Sequence, residues 1–371
     1  MPKTHRGNFL GDRLFALIVL ALTAFGIAMF ISASLGLLAR EGSSPLHLAF
    51  TQIALGLIPG GVALVTLRFA SLSLVQKLAI PAYAGALLLT LLVLFIGEEY
   101  NGAKRWIDLG FTTIQPGEFL KAAVVLMLAT YLAFAKDRLS EWRYGLVPFG
   151  VIVGLPILLL LLQPNTSTAL VIGGTCLILY MLAGAPVKDF GIILLAGLIG
   201  VVVLVSMRPY LLERVKTFID PSHNPHTSGY QIQQSLIAIG SGGALGRGFG
   251  QSAQKFNYLP EAQGDSVFAV LGEELGFVGT VIIVLLFTAF AARGFMIAGE
   301  AATSFGALLA TGLTLIITLS AFLNIGAMLG VLPLTGLPLP FISHGGTALL
   351  TVLASVGLIL NVAAHKTKAR H

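Results

Sequence analysis

Residues 14–34 read LFALIVLALTAFGIAMFISAS, an uninterrupted apolar run without a single charge. A helix needs about 20 mostly apolar residues to cross the hydrocarbon core of a bilayer. Nine further stretches of this kind follow, at 47–67, 78–97, 119–135, 146–163, 167–184, 190–207, 267–292, 304–330 and 346–364. Pro59, Pro81, Pro148 and Pro156 fall inside some of them. Neighbouring helices tolerate such prolines inside a membrane far better than water does. The expected fold is an all-α integral membrane protein with about ten transmembrane helices.

Composition points the same way. The 371 residues are 56% hydrophobic and 10% charged, and mean hydropathy is +0.92. Soluble domains carry about 25% charged residues, so most of this surface faces something other than water. The net charge is +6, but the basic residues form no stripe with aromatics between them, which excludes a nucleic-acid surface. They sit where apolar segments end. The one cysteine, Cys176, lies inside an apolar run; it excludes an intramolecular disulfide and reads as packing.

Lys3, Arg6 and Arg13 precede the first span, which is too long for a signal-peptide core and reads as a retained anchor. A cytoplasmic N-terminus also places Arg68, Lys77, Lys136, Arg138, Arg143, Lys188, Arg293, Lys366, Lys368 and Arg370 inside, in keeping with the positive-inside rule. An even helix count returns the C-terminus to the same side. One polytopic domain is expected over 1–371, with cytoplasmic tails at 1–13 and 365–371. Two long segments, 98–118 and 208–265, then lie outside, the second between helices 7 and 8. Loops beyond about 15 residues are usually functional or disordered, and both segments are dense in aromatics, glycines and charges.

Ionisable residues at the edge of a span are functional candidates, and three groups qualify. Lys104, Arg105, Trp106 and Asp108 lead into Gln115-Pro116-Gly117-Glu118-Phe119-Leu120-Lys121. There Glu118 and Lys121 form an i, i+3 pair, readable as a structural ion pair or as part of an anion site. Asp265, Glu273 and Glu274 open the eighth span. On a helix, Asp265 and Glu273 lie about 80° apart and Asp265 and Glu274 on opposite sides. Spacing alone favours Asp265 as a helix N-cap and sends the two glutamates toward protein or a cavity. The third group is the stretch from Pro333 to Gly346, whose prolines and glycines forbid a continuous helix. It reads as a re-entrant wall that presents Ser343 and His344. The glycines at 246, 248 and 250 follow no strand and carry no nucleotide-loop pattern.

These motifs resemble the SEDS family of cell-wall polymerases, FtsW and RodA. The resemblance rests on Gly229-Tyr230-Gln231 through Gly243, on Tyr258-Leu259-Pro260-Glu261 followed by Asp265, and on Gly272-Glu273-Glu274-Leu275-Gly276. It rests also on Lys104-Arg105-Trp106, on the 115–121 segment and on Phe341-Ile342-Ser343. The run Gly248-Phe249-Gly250-Gln251-Ser252 with Lys255 is more similar to the FtsW branch. The resemblance implies a peptidoglycan glycosyltransferase in the bacterial cytoplasmic membrane, polymerising lipid II on the outer face. It implies Asp265 as general base, with inversion at the anomeric carbon and undecaprenyl pyrophosphate as leaving group. Lys104, Arg105, Glu118, Lys121, Arg247, Lys255, Glu261 and Ser343 become candidate substrate-binding residues. Glu273, Glu274, Gln163 and Asn165 become candidate cavity residues. A divalent cation would suit the diphosphate, although no ligand cluster calls for a metal. The implied partners are a class B penicillin-binding protein and other divisome or elongasome membrane proteins.

The sequence departs from the family pattern at three places: Gln263-Gly264 stands for His-Thr, Asn165 for the aspartate after Pro164, and His344 for a tyrosine. Two alternatives remain open at this stage, a RodA-type elongation polymerase and a lipid flippase or transporter. Paired halves with matching broken helices would favour a transporter, and no such repeat is visible. The third class, a scaffold that merely holds a partner, would not need Asp265.

Overall fold

A computed structural model describes residues 12–41, 52–100, 103–110, 113–220, 228–256 and 258–365. The expected tail residues 1–11 and 366–371, and the start of the second span at 47–51, lie outside the described residues. Among the described residues ten apolar helices carry the fold: α1 (Arg13–Glu41), α2 (Ile58–Phe69, continuing a π turn over Ile53–Leu57), α4 (Ala79–Ile96), α5 (Pro116–Ala135), α6 (Leu146–Leu162), α7 (Thr166–Leu182), α8 (Val187–Met207), α11 (Val267–Gly299), α12 (Ser304–Met328) and α13 (Gly346–Ala364). A short α3 (Leu72–Lys77) links α2 to α4. Seven of the ten are long and apolar enough to cross a membrane on their own, and Ile53–Phe69, Leu146–Leu162 and Thr166–Leu182 are shorter. All ten fall where hydropathy put them.

The two long segments between spans hold regular structure among their described residues. The first folds into three antiparallel strands, β1 (Glu98–Tyr100), β2 (Ala103–Asp108) and β3 (Thr113–Ile114), in the order β1-β2-β3. The second contains two helices, α9 (Pro209–Ile219) and α10 (Ser228–Ser241). Hydropathy windows tuned to spans cannot register either.

Lipid tails are as apolar as leucine, so helices in a bilayer associate by close packing and by hydrogen bonds. The core is centred on α5, where Leu120, Val124, Val125 and Leu128 are all fully buried, and on α12 and α13 around it. Glycines permit the closest approaches. A methyl on Gly357 of α13 would meet the backbone of Leu64 on α2, with its Cα at 2.8 Å. At one end of the bundle Asn361 donates to Leu67 O and Ala70 O, both at 2.6 Å, and Arg293 Nη2 pairs with Asp12 at 2.6 Å. By contrast α8 buries no apolar side chain. Its one buried residue, Asp189, accepts from Tyr180 at 2.8 Å.

Candidate active site

Four connections converge at the opposite end: the small sheet, the 163–165 turn between α6 and α7, the 242–266 segment, and the proline-rich turn between α12 and α13. Hydrogen bonds cross between them. The Arg105 guanidinium donates to Pro164 O and, at 3.5 Å, to Gln163 O. Ser167 Oγ donates to Thr335 O, Thr347 Oγ1 to Thr113 O at 3.4 Å, and Ser343 Oγ to Gly264 O at 2.5 Å.

Asp265 stands in this junction. Glu261 takes a left-handed conformation (φ 50), and its carbonyl accepts from Gly264 N at 2.9 Å and Ser266 N at 3.2 Å. The N-cap of α11 is therefore Ser266, which makes no side-chain cap bond. The helix-cap reading of Asp265 fails for that reason. Its half-buried carboxylate instead accepts from Gln231 Nε2 of α10 at 3.1 Å, an amide that also reaches Ser266 Oγ at 3.0 Å. Burial, and then the Glu261 carboxylate, push the Asp265 carboxyl up to about 6, against the hydrogen bond from Gln231, a backbone hydrogen bond and the field of Arg214. A carboxyl held there is a base at neutral pH that still binds a proton usefully.

Arg214, on α9, was not legible as a site residue. A side chain on Gly336 would enter the space beside both groups, since its Cβ would stand 3.8 Å from Asp265 Oδ2 and 4.0 Å from Arg214 Nη2. The same guanidinium acts on Arg105, which burial and then Arg214 push down. Arg214 thus acts on both the Asp265 carboxylate and the Arg105 guanidinium, and positive charge gathered there suits an anionic group. Lys104 lies beside Arg105 on β2, exposed.

Other expected residues are brought elsewhere. Glu118 and Lys121 pair at 2.9 Å, both buried, and line a small cavity with Ser320, Thr351 and Ser355. Glu118 Oε2 has no hydrogen-bond partner there. Gln163 donates to Thr90 O, and Asn165 is buried with an unpartnered Nδ2. The hydroxyl of Ser343 is used within the backbone, since it also accepts from Leu339 N at 2.7 Å.

Lys255 corrects the expectation that it meets substrate. Its fully buried ammonium donates to Glu274 Oε1 at 2.7 Å, Ser32 Oγ at 3.0 Å and Gly250 O at 2.8 Å, which uses all three donors of a lysine. It belongs to a clamp. Glu274 also accepts from Gly250 N at 2.9 Å, and Glu273 from Ser252 Oγ at 2.5 Å, Ala253 N and Gln254 N at 3.1 Å, and Arg247 Nη1 at 3.1 Å. The glycine-rich segment is held to α11 because α11 breaks at Gly276 (φ 63, ψ −162). Backbone at that depth must find partners within the protein. Arg247 N and Gly248 N donate to the carbonyls of Glu273 and Glu274, each at 3.0 Å, and Phe277 N and Val278 N donate to Gly243 O (2.9 Å) and Ala244 O (3.1 Å).

Among the described residues, no three His, Cys, Asp or Glu side chains converge as a metal site would require. The residues missed by sequence reasoning are Gln231, Arg214 and Asn324. Asn324, a polar residue inside an apolar helix, carried a usable signal.

The family described as "Cell cycle protein", comprising FtsW, RodA and SpoVE, matches residues 12–368. Stage V sporulation protein E of Bacillus subtilis (strain 168) is 42% identical over 74% of this chain and 75% of its own. The probable peptidoglycan glycosyltransferase FtsW of Halothiobacillus neapolitanus is 39% identical over 98% of this chain and 88% of its own. Among solved structures, a peptidoglycan synthase complex whose title names coordination of polymerization and crosslinking superposes with TM-score 0.80 at 30% identity, covering 96% of this chain and 98% of that one. The rod shape determining protein RodA of Thermus thermophilus superposes with TM-score 0.71 at 29% identity over the same shares. With a match from residue 12 to 368 and relatives well above 30% identity along most of its length, this multi-pass membrane protein belongs to the FtsW/RodA/SpoVE family.

Proposed function

We propose that the chain is a peptidoglycan glycosyltransferase that polymerises lipid II at the outer face of the bacterial cytoplasmic membrane, with Asp265 as general base. The observation that carries the reading is a carboxyl with pKa raised to about 6 that shares with Arg214 the open space beside Gly336. The carboxylate takes the proton of the attacking sugar hydroxyl. The hydroxyl oxygen bonds to the anomeric carbon of the second sugar as the bond to the diphosphate breaks, and the configuration inverts. Arg105 and Arg214 receive the charge that grows on the departing undecaprenyl diphosphate, and exposed Lys104 adds to the field. Preorganised donors aimed at developing charge are usually the largest catalytic contribution.

The chain acts as one polytopic domain, with 208–265 on the outer side and both tails in the cytoplasm. Septal synthesis is favoured over elongation, because relatives named FtsW match 95–98% of this chain at 35–39% identity while the RodA structure stands at 29%. A class B penicillin-binding protein is the partner of this reading, since a solved relative couples polymerization to crosslinking.

The test is polymerisation of lipid II by the purified protein with its class B partner, read as glycan length on a gel. Asp265→Asn should abolish product while the protein still binds its partner. Full activity of that variant would remove Asp265 from the chemistry.

A further inference from the structure

Three successive carbonyls lead into the candidate base, and each accepts a hydrogen bond from the last third of the chain. His344 N donates to Gln263 O at 2.8 Å, Ser343 Oγ to Gly264 O at 2.5 Å, and Asn324 Nδ2 to Asp265 O at 2.7 Å. The first two come from the proline-rich turn. The third comes from the interior of α12.

Asn324 is fully buried, and its second N–H goes to Leu337 O in the same turn, also at 2.7 Å. Two carbonyl acceptors settle the orientation of the amide, because the flipped form would set its own oxygen against both. The oxygen Oδ1 is left without a partner, a cost that only the two donations offset. The amides of α11 do not serve the Asp265 carbonyl, since Ala269 N (2.9 Å) and Val270 N (3.4 Å) both go to Ser266 O.

We propose that Asn324 is a positioning residue: by bonding Asp265 O and Leu337 O together it fixes the main chain of the base against the wall that carries Gly336. The inference rests on the reading of Asp265 as base. A catalytic group must be held within about 0.5 Å of its productive position, and of the three bonds that tie this segment to the turn the Asn324 amide is the one made to the Asp265 carbonyl itself.

The fold supplies its own control. Asn361 is also fully buried, donates to two carbonyls at 2.6 Å, and has an unpartnered Oδ1, but it sits at the other end of the bundle. Asn324→Ala and Asn361→Ala therefore remove matching sets of bonds. We expect similar drops in melting temperature for both. Only Asn324→Ala should lower kcat at least tenfold with KM within threefold, and move the acid limb of the pH–rate profile; only it should speed amide exchange across 264–270. Should Asn324→Ala fail to fold, Asn324→Leu fills the volume without a donor and is read in the same way. A kcat per folded enzyme that is equal in the two variants overturns the positioning role. Asp265→Asn measured alongside separates the failures: if it is inactive and Asn324→Ala is normal, the polymerase reading stands and the positioning role falls. If Asp265→Asn is active, both fall.

Discussion

Burial and Glu261 raise the Asp265 carboxyl while Arg214 and Gln231 oppose them, so the pH dependence of the reaction can be assigned group by group. The proposed base works ionised, so activity should fall as pH drops through about 6. Glu261→Gln removes a neighbouring negative charge, stabilises the ionised form and should move the acid limb to lower pH. Arg214→Ala removes a positive charge and should move it to higher pH, while also weakening diphosphate binding. Both shifts are read from kcat/KM against pH; opposite signs would break the assignment. Loss of the base itself should cost about 10²–10⁴ in kcat.

At the scale of the element, α11 is two helices joined by a glycine that no other residue replaces without strain. Gly276→Ala should destabilise by about 1–3 kcal/mol, the usual cost of a glycine-only conformation, and should loosen the 243–248 segment to proteolysis. The pair beneath it is fully buried on both sides. Lys255→Met leaves Glu274 charged without its counter-ion, and breaking a buried pair from one side costs about 3–5 kcal/mol. Thermal unfolding in detergent checks both. A Lys255→Met protein as stable as wild type would return that lysine to the substrate-binding candidates.

At the scale of the molecule, the proposed orientation has a direct test, because Cys176 is fully buried and leaves a low background for thiol labelling. Lys104→Cys and Arg138→Cys place a thiol at exposed positions on opposite ends of the bundle. A membrane-impermeant maleimide on intact cells should label the first and spare the second. Labelling of Arg138→Cys alone would invert the topology.

The ten spans, the family and the segment around Asp265 were determined by the sequence itself, because hydropathy and short motifs are local properties of the chain. The same local reading found Glu118 with Lys121, three residues apart. What required the tertiary structure were relations across long separations. Lys255 meets Ser32 across 223 positions, and Asn324 meets Asp265 across 59. Arg214 borders Gly336 only because α9 and the proline-rich turn reach the same end of the bundle. A span must be apolar wherever it sits, so its signal survives in one dimension. A site is a meeting of loops, and which carbonyl a buried amide reaches, or whether a lysine faces substrate or a glutamate, is decided by packing.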